Sequence, residues 1–227
     1  MTPADYLDRA GLARPLDAER IAGHLAAYTE IAETARLPRD VAVLYSYRVP
    51  ELGEGGACSL PDQLAEAPYD LAAALGGTSE EISLRLEVLT ELTRRFAAET
   101  GCGWIGVYQA RAVAAGPALV KLAYVGKPSR AEFPLTEDFA AHSNNSAVGL
   151  SGQARLIDDV ADWRDAGGAY YTCDLEVRSE ACLPLFDEAG ALVGIVDAED
   201  ARPGFFAGDV IERLAALCLL APGWLPD

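Results

Sequence analysis

Two apolar runs near the end of the chain, Glu180 to Phe186 and Ala191 to Ala198, are joined by the turn sequence Asp-Glu-Ala-Gly. Such runs on either side of a glycine-containing turn are typical of a β-hairpin, whose strands are antiparallel. Earlier in the chain, Trp104 to Tyr108 alternates as a strand, and Leu119 to Val125 has the composition of its antiparallel neighbour. These segments predict an antiparallel sheet at the centre of the fold.

Amphipathic helices are predicted before and after these strands. The first is capped by Ser79 and has an apolar stripe formed by Ile82, Leu86, Leu89, Leu92 and Phe96. The last carries the apolar residues Val210, Ile211, Leu214, Leu217 and Cys218. Between the strand pairs, residues 137–151 are expected to be helical or irregular, and residues 154–158 a short strand. This order predicts an α+β fold, an α/β sandwich whose helices cover one face of the sheet and leave the other face for a ligand.

The first 78 residues have a different pattern and are predicted to form a mostly helical extension with a linker. Residues 3–35 are rich in alanine and favour helix, and Val41 to Tyr45 is a short strand candidate. Residues 50–77 contain clustered glycine and proline, which is typical of a connecting loop with one short helix. We therefore divide the chain into an extension, residues 1–78, and a main domain, residues 79–227.

The charge of the chain limits its partners. A formal net charge of -17 repels nucleic acid and anionic membrane surfaces, so neither is an expected partner. The sequence has no apolar stretch of about eighteen residues and no signal-peptide pattern, which indicates a cytoplasmic protein.

The spacing of cysteine and histidine gives no metal-binding pattern. The chain has five cysteines and two histidines but no CxxC pair, so we expect neither a metal nor another cofactor. Cys182 falls on a strand face and Cys218 on a helix stripe, and both are predicted to be buried. Cys173 lies in a polar loop before a strand, where a thiol is a better nucleophile candidate. The alternative is that Cys173 is an ordinary half-buried cysteine with no role in catalysis.

Three carboxylates are predicted to meet at one end of the hairpin. Glu180 opens one strand, and Asp197 and Glu199 end the other. Such a cluster can bind the ammonium group of a small ligand, or it can share a proton that raises one pKa and supplies a general acid. The alternative is a strand end at which the acids face water. Trp104 and Tyr108, which point to the same side of their strand, either wall a pocket or pack in the core.

Five segments occur in a characteristic order, namely GCGWIGVY, YVGKPS, TCDLEVRSEACLPL, ALVGIVDAED and RPGFF. Their order and the spacing from cysteine to glutamate resemble the free methionine-(R)-sulfoxide reductases, a GAF-domain family. The resemblance covers about Ser79 to Leu220 and leaves the extension outside it. It implies a GAF-like fold and a thiol-dependent reduction of free methionine-(R)-sulfoxide.

The resemblance also assigns roles to individual residues. The family's catalytic cysteine lies in a Cys-Asp pair seven residues before a glutamate, which matches Cys173 and Glu180. Its W-x-G-x-Y pocket strand and its hairpin D-x-D pattern are also present, with Glu199 in place of the second aspartate. The implied catalytic residues are Cys173, Glu180 and Asp197, and the implied substrate-binding residues are Trp104, Tyr108, Glu180, Asp197 and Glu199.

The chain departs from the family where members carry further cysteines that resolve the oxidised catalytic thiol. Here Gly-Lys-Pro is followed by Ser129 and Arg130, and the start of the next helix, residues 142–146, contains no cysteine. We therefore expect recycling by an external thiol or a thioredoxin-like reductant, with Cys58 of the extension as a candidate resolving thiol. The loop before Cys173 reads Ala-Tyr-Tyr-Thr instead of the family's small and histidine-containing run, which predicts a changed pocket mouth.

Three functions are compatible with these patterns. The first is a reductase in which the Cys173 thiol attacks the sulfoxide sulfur of a ligand that carries an ammonium group. The second is a noncatalytic GAF module that binds an amino acid or another small cation, or that senses redox state through Cys173. The third is an interaction domain that acts through its N-terminal helices. A homodimer is the expected assembly.

Overall fold

The computed structural model of the chain describes residues 1–12, 14–53, 59–171 and 174–227. Cys58 and Cys173 lie outside these ranges, so the predictions made for these two thiols concern residues that the structure does not describe. No helix in the described part of the chain is both long enough and apolar enough to cross a membrane.

The extension contains helices and short strands. Its elements are α1 (Pro3–Ala10), α2 (Ala18–Thr34), a 3-10 helix (Val41–Leu44), β1 (Ser46–Tyr47), β2 (Pro50–Leu52), β3 (Ser59–Leu64), β4 (Tyr69–Asp70) and α3 (Leu71–Leu75). Strand β1 pairs with β4, and β2 pairs with β3. The predicted helical region, residues 3–35, is divided into α1 and α2, and each helix is capped, because the side chains of Thr2 and Asp17 accept hydrogen bonds from free backbone N–H groups in the first turn.

Two predictions for the extension are wrong. Val41 to Tyr45 is not a strand, because the Asp40 side chain accepts a hydrogen bond from the backbone N–H of Ala42 and starts a 3-10 turn instead. Residues 50–77 are not simply a loop with one helix, since short strands precede α3. Helices α1 and α2 pack against the last helix of the chain, and Tyr6, Ile21 and Tyr28 are buried there.

The main domain follows the predicted order of elements. Its elements are α4 (Glu80–Thr100), β5 (Trp104–Val113), β6 (Gly116–Val125), β7 (Glu132–Pro134), α5 (Glu137–Ala140), α6 (Asn144–Ser151), β8 (Arg155–Ile157), α7 (Val160–Asp165), β9 (Ser179–Phe186), β10 (Leu192–Asp200) and α8 (Asp209–Leu220), followed by a 3-10 helix (Ala221–Trp224). Within the described residues, six antiparallel strands form the central sheet in the order β7-β6-β5-β10-β9-β8. The predicted α+β sandwich is therefore confirmed.

The two faces of the sheet pack differently. One face packs on α4 and α8 in the main apolar core, to which Ile105, Val107 and Val196 contribute. The opposite face carries a smaller cluster formed by Trp104, Tyr108, Leu119, Phe133, Val148, Cys182 and Ile195. Helix α6 contributes Val148 to this second cluster. A short helix therefore covers part of the face that was predicted to be free for a ligand.

Close packing of β10 on β5 depends on Gly194. A Cβ atom at this position would lie 2.1 Å from the backbone oxygen of Tyr108 and 3.2 Å from the Cα of Gln109. Both neighbours are backbone atoms of a central strand, so they can move only if the strands separate.

We expect Gly194→Ala to lower the free energy of unfolding by about 3 kcal/mol, because overpacking in a rigid interior is poorly relieved. The matched control is Gly23→Ala in α2, where a Cβ would meet nothing within 4 Å. That change should raise the free energy of unfolding by roughly 0.5–1 kcal/mol, as is usual for glycine inside a helix. Urea denaturation of both variants measures the two effects, and equal midpoints would show that β10 does not pack on β5 as described.

Candidate functional site

The hairpin brings three acidic side chains together on the face of the sheet opposite α4 and α8. Glu199 lies opposite Glu180 on β9 and opposite Trp104 on β5, and Asp197 lies opposite Gly106. Because residues two apart in a strand point to the same face, Asp197 and Glu199 share the face of Trp104 and its neighbours. The predicted proximity of Glu180 to the other acids is confirmed.

These acids line a small cavity between the sheet, α6 and the segment before Cys173. The cavity is lined by Trp104, Tyr108, Ser129, Phe133, Ser143, Asn144, Asn145, Tyr171, Glu180, Asp197 and Glu199. Aromatic rings therefore form one wall, and carboxyl and amide groups form the other. The cavity has a volume of about 20 Å³, which is room for about one water molecule, and its mixed lining offers contacts to both an apolar and a charged group of a ligand.

The missing side chain at Gly106 leaves room for the two aromatic rings of the W-x-G-x-Y strand, which form the pocket wall. A Cβ at Gly106 would lie 2.5 Å from the Trp104 ring and 3.1 Å from the Tyr108 ring. Both rings lean over this position, with centroids 6.5 Å apart. The indole Nε1 of Trp104 also donates to the backbone oxygen of Lys127 at 3.1 Å, which fixes the ring.

Two asparagines at the start of α6 hold two of the acids. Asn144 Nδ2 donates to Glu180 Oε1 at 3.0 Å, and Asn145 Nδ2 donates to Asp197 Oδ2 at 2.9 Å. Arg155 donates in turn to Asn144 Oδ1 at 2.7 Å. Glu180 and Asp197 are each only 3% exposed, and Asp197 Oδ1 has no hydrogen-bond partner among the described residues. Neither amide was among the site residues predicted from the sequence, although consecutive asparagines after a capping serine are a signal for this turn.

Burial raises the pKa of all three acids, and that of Asp197 and Glu199 well above the ordinary range. The negative charge of Glu180 raises the pKa of Asp197 further, and both charges raise that of Glu199. Hydrogen bonds from Tyr170 and Asn144 act in the opposite direction on the pKa of Glu180. Three buried carboxyl groups this close together ionise less readily than separate ones, so the cluster favours holding a proton.

A buried lysine lies behind the aromatic wall. Lys121 Nζ donates to the backbone oxygen and the Oγ of Ser129, at 2.8 and 2.7 Å, and it lies 4.2 Å from the ring centroid of Tyr124. Tyr47 of the extension covers the other side, with its ring centroid 5.0 Å from Nζ. The positive charge of Lys121 lowers the pKa of Glu199 in part. From the sequence, this lysine is an ordinary residue of the strand predicted at Leu119 to Val125.

Side chains on each side of residues 172–173 are tied to the rim of the cavity. Tyr171 accepts a hydrogen bond from Arg130 Nη1 at 3.1 Å, and the Arg130 guanidinium lies 4.9 Å from the Phe139 ring. On the other side, Lys127 Nζ pairs with Asp174 at 2.8 Å and also with Glu176. Arg130, which follows the Gly-Lys-Pro turn, therefore holds the Tyr171 side chain at the rim of the cavity.

The described cysteines are poor nucleophiles. Cys102, Cys182 and Cys218 are buried and free, as predicted for the last two. Burial raises the pKa of Cys102 and of Cys218 to about 12, and it raises the pKa of Cys182 well above the ordinary range. All three thiols are therefore protonated and shielded at neutral pH.

A group of potential metal ligands lies outside the cavity. Within the described ranges, one atom from each of His24, Asp209 and Glu212 falls within 4.8 Å of the others. Arg20 pairs with both carboxylates, at 2.8 and 3.1 Å, and Arg213 pairs with Asp209 at 2.6 Å. These arginines already balance the acids, so the group is explained by ion pairs between α2 and α8.

A wider groove lies between the 3-10 helix at Val41–Leu44 and the start of α4, with a volume of about 910 Å³. Its lining is largely apolar, and its polar groups are engaged locally, since the Tyr45 hydroxyl contacts Ser83 Oγ at 2.8 Å. This groove lacks a cluster of acidic and amide side chains like the one that lines the acidic cavity. The acidic cavity is therefore the stronger candidate for a ligand site.

No family model matches the chain, and no curated protein matches it. Among solved structures, a type II free methionine-R-sulfoxide reductase from Thermoplasma acidophilum is 16% identical, with a TM-score of 0.55 over 64% of this chain and 94% of that one. A GAF domain structure is also 16% identical, with a TM-score of 0.50 over 66% of this chain and 80% of that one. The chain has a GAF-like fold. This confirms the fold that the sequence resemblance implied.

A further GAF-like structure aligns with the extension as well. A proposed GAF sensor protein from Burkholderia vietnamiensis is 16% identical, with a TM-score of 0.50 over 88% of each chain. Residues 79–227 make up only about two thirds of the sequence, so this alignment reaches into the first 78 residues. At such identities the likeness shows the GAF-like fold alone, a fold that these structures place both in an enzyme and in a proposed sensor.

Proposed function

We propose that the chain is a thiol-dependent reductase of free methionine-(R)-sulfoxide, with Cys173 as its nucleophile. The observation that carries this proposal is the buried acid cluster beside Trp104 and Tyr108. In particular, Asp197 Oδ1 is a buried oxygen without a partner in the described part of the chain, and it belongs to a residue that lines the cavity. A buried polar atom of this kind is costly unless a ligand or a proton satisfies it.

The cavity offers complementary groups to a free amino acid. The ammonium group of the substrate binds among Glu180, Asp197 and Glu199, and the methyl end packs on Trp104. The ammonium group of Lys121 lies 5.9 Å from the ring centroid of Trp104, so a cation–π contact supports this part of the aromatic wall. An acidic, aromatic-walled cavity therefore selects a small ligand with one positive end and one apolar end.

The reaction transfers one oxygen atom. The Cys173 thiolate attacks the sulfoxide sulfur while a protonated carboxylic acid of the cluster donates its proton to the sulfoxide oxygen. The oxygen passes to the cysteine sulfur as hydroxyl, so methionine leaves with its sulfur reduced and Cys173 becomes a sulfenic acid. One external thiol converts the sulfenic acid to a mixed disulfide and water, and a second thiol releases the Cys173 thiol and an external disulfide.

A noncatalytic receptor is the second candidate, and one specific observation favours it. Where the family carries a resolving cysteine at a helix start, this chain has Asn144 and Asn145, whose amides bind the acids instead of taking part in thiol exchange. A receptor would use the same cavity for an amino acid without turnover.

Recognition of the ammonium group can be tested by comparing methionine sulfoxide with its N-acetyl derivative. Acetylation removes the positive charge and leaves the buried carboxylates without a counterion, so we expect at least about tenfold weaker binding by calorimetry. Glu180→Gln, which removes a negative charge from the cluster, should reduce this preference, whereas Glu188→Gln, an exposed change in the hairpin turn, should preserve it. Equal affinity for the two ligands would contradict an amino-acid site, in the enzyme and in the receptor alike.

A further inference from the structure

The first turn of α6 places one amide against each of two carboxyl groups and connects one of these groups to a positive charge. Arg155 donates to Asn144 Oδ1 at 2.7 Å, and Asn144 donates to Glu180 at 3.0 Å. The second amide, Asn145, donates to Asp197 Oδ2 at 2.9 Å. Asn144 and Asn145 are 4% and 5% exposed, so water does not compete for these hydrogen bonds.

The chemistry of the donors fixes the orientation of the Asn144 amide. A guanidinium can only donate, so the oxygen of Asn144 must face Arg155 and its NH₂ group must face Glu180. The arginine charge is thereby relayed to Glu180 through a polarised amide. Among the residues that the structure describes, no such relay reaches Asp197, since the side chain of Asn145 bonds to Oδ2 and to no cation.

The two carboxyl oxygens of Asp197 have different surroundings. Oδ2 accepts a hydrogen bond from the NH₂ group of Asn145, so it cannot carry a proton that points along that bond. Oδ1 has no hydrogen-bond partner in good geometry among the residues that the structure describes, and the backbone N–H of Ala198 acts on this carboxyl group only by lowering its pKa in part. A proton on this carboxyl group therefore belongs on Oδ1.

We propose that Asn144 and Asn145 are positioning residues that divide one proton between the acids, so that Asp197 Oδ1 carries it and Glu180 stays ionised. The catalytic use of this proton rests on the proposed function. The protonated oxygen then donates to the sulfoxide oxygen of the substrate, and the ionised Glu180 binds the ammonium group. A single pair of amides thus gives two neighbouring carboxyl groups different tasks.

Other charged and titratable groups also face Asp197 and must be considered. Glu180 and Cys182 face Asp197 from β9, and Glu199 lies beside Asp197 on β10. Tyr170 approaches from the segment before Cys173. Arg155 on β8 acts on Glu180, and Lys121 on β6 and Asp174 act on Glu199. The variants described next leave all of these groups in place, so the effects of the two amides can be separated from theirs.

The test is a pH titration of the Asp197 carboxylic acid by its infrared carbonyl band in the full chain without ligand. Asp197→Asn identifies the band by removing it. Asn145→Ala removes a donor to Asp197, so the midpoint of this band should rise by about one pH unit. Asn144→Ala removes the donor to Glu180, which then takes the proton more readily, so the midpoint of Asp197 should fall by about one pH unit.

Opposite shifts are the expected result, since a general loosening of the site would move both variants in one direction. Gln153→Ala is the matched control, because this exposed amide just after α6 contacts Arg9 and not the acids, and it should leave the midpoint unchanged. If an alanine variant fails to fold, Asn144→Ser and Asn145→Ser, which keep a small donor, should show the same directions with smaller shifts. Equal directions, or no shift in folded variants, would overturn the inference. The titration needs no turnover, so opposite shifts in a protein that never releases methionine would support the proton assignment and contradict the reductase.

Discussion

Replacement of Cys173 by serine is expected to lower single-turnover release of methionine from its (R)-sulfoxide by about a thousandfold or more. A serine hydroxyl is not ionised at neutral pH, and its oxygen cannot take up the sulfoxide oxygen as a sulfenic acid does. Rapid-quench analysis of released methionine under excess enzyme measures this step without any recycling thiol.

The control for this experiment is Cys58→Ser. Cys58 is a candidate only for resolving the oxidised enzyme, so its removal should leave the first turnover unchanged. The buried thiols supply no alternative nucleophile, because burial raises the pKa of Cys102 and of Cys218 to about 12 and shields Cys182. First-turnover release that survives in Cys173→Ser would remove this residue from the chemistry.

Asp197→Asn is expected to lower the rate of methionine formation by about a hundredfold to a thousandfold, as is usual for loss of a general acid. The amide keeps the shape of the side chain but cannot donate a carboxylic acid proton to the sulfoxide oxygen. Glu180→Gln should act differently, because loss of an ionised partner for the ammonium group raises KM more than it lowers kcat.

The matched control for the acids is Glu188→Gln, which changes an exposed acid in the turn of the same hairpin. Steady-state kinetics with a saturating external thiol would give kcat and KM for all three variants. An Asp197→Asn enzyme with an unchanged kcat would assign the proton donor to another group of the cluster, and equal effects of Asp197 and Glu180 on both constants would contradict their separate tasks.

Local patterns predicted the elements that build the site. The apolar runs on each side of Asp-Glu-Ala-Gly specified the hairpin, and its register placed Glu199 opposite Glu180. The alternation of Trp104 and Tyr108 likewise specified one strand face. These features depend on neighbours in sequence, so they were accessible without a structure.

Features that depend on distant contacts were missed. Lys121 reads as an ordinary strand residue until Tyr47, which lies more than seventy positions earlier, is packed over its ammonium group. The roles of Asn144 and Asn145 also depend on a hairpin that forms about forty residues later in the chain. By contrast, the strand wrongly predicted at Val41 to Tyr45 reflects a local competition, in which the Asp40 cap prevailed over the preference of valine for strands.

The most direct test of the proposed reductase is intact mass spectrometry of the chain after one equivalent of free methionine-(R)-sulfoxide, with and without glutathione. The proposal predicts one equivalent of released methionine, together with a sulfenic acid on Cys173 in the first sample and a glutathione mixed disulfide on the same residue in the second. An unmodified protein that holds the unreduced sulfoxide would contradict the reductase and identify the cavity as the site of a receptor.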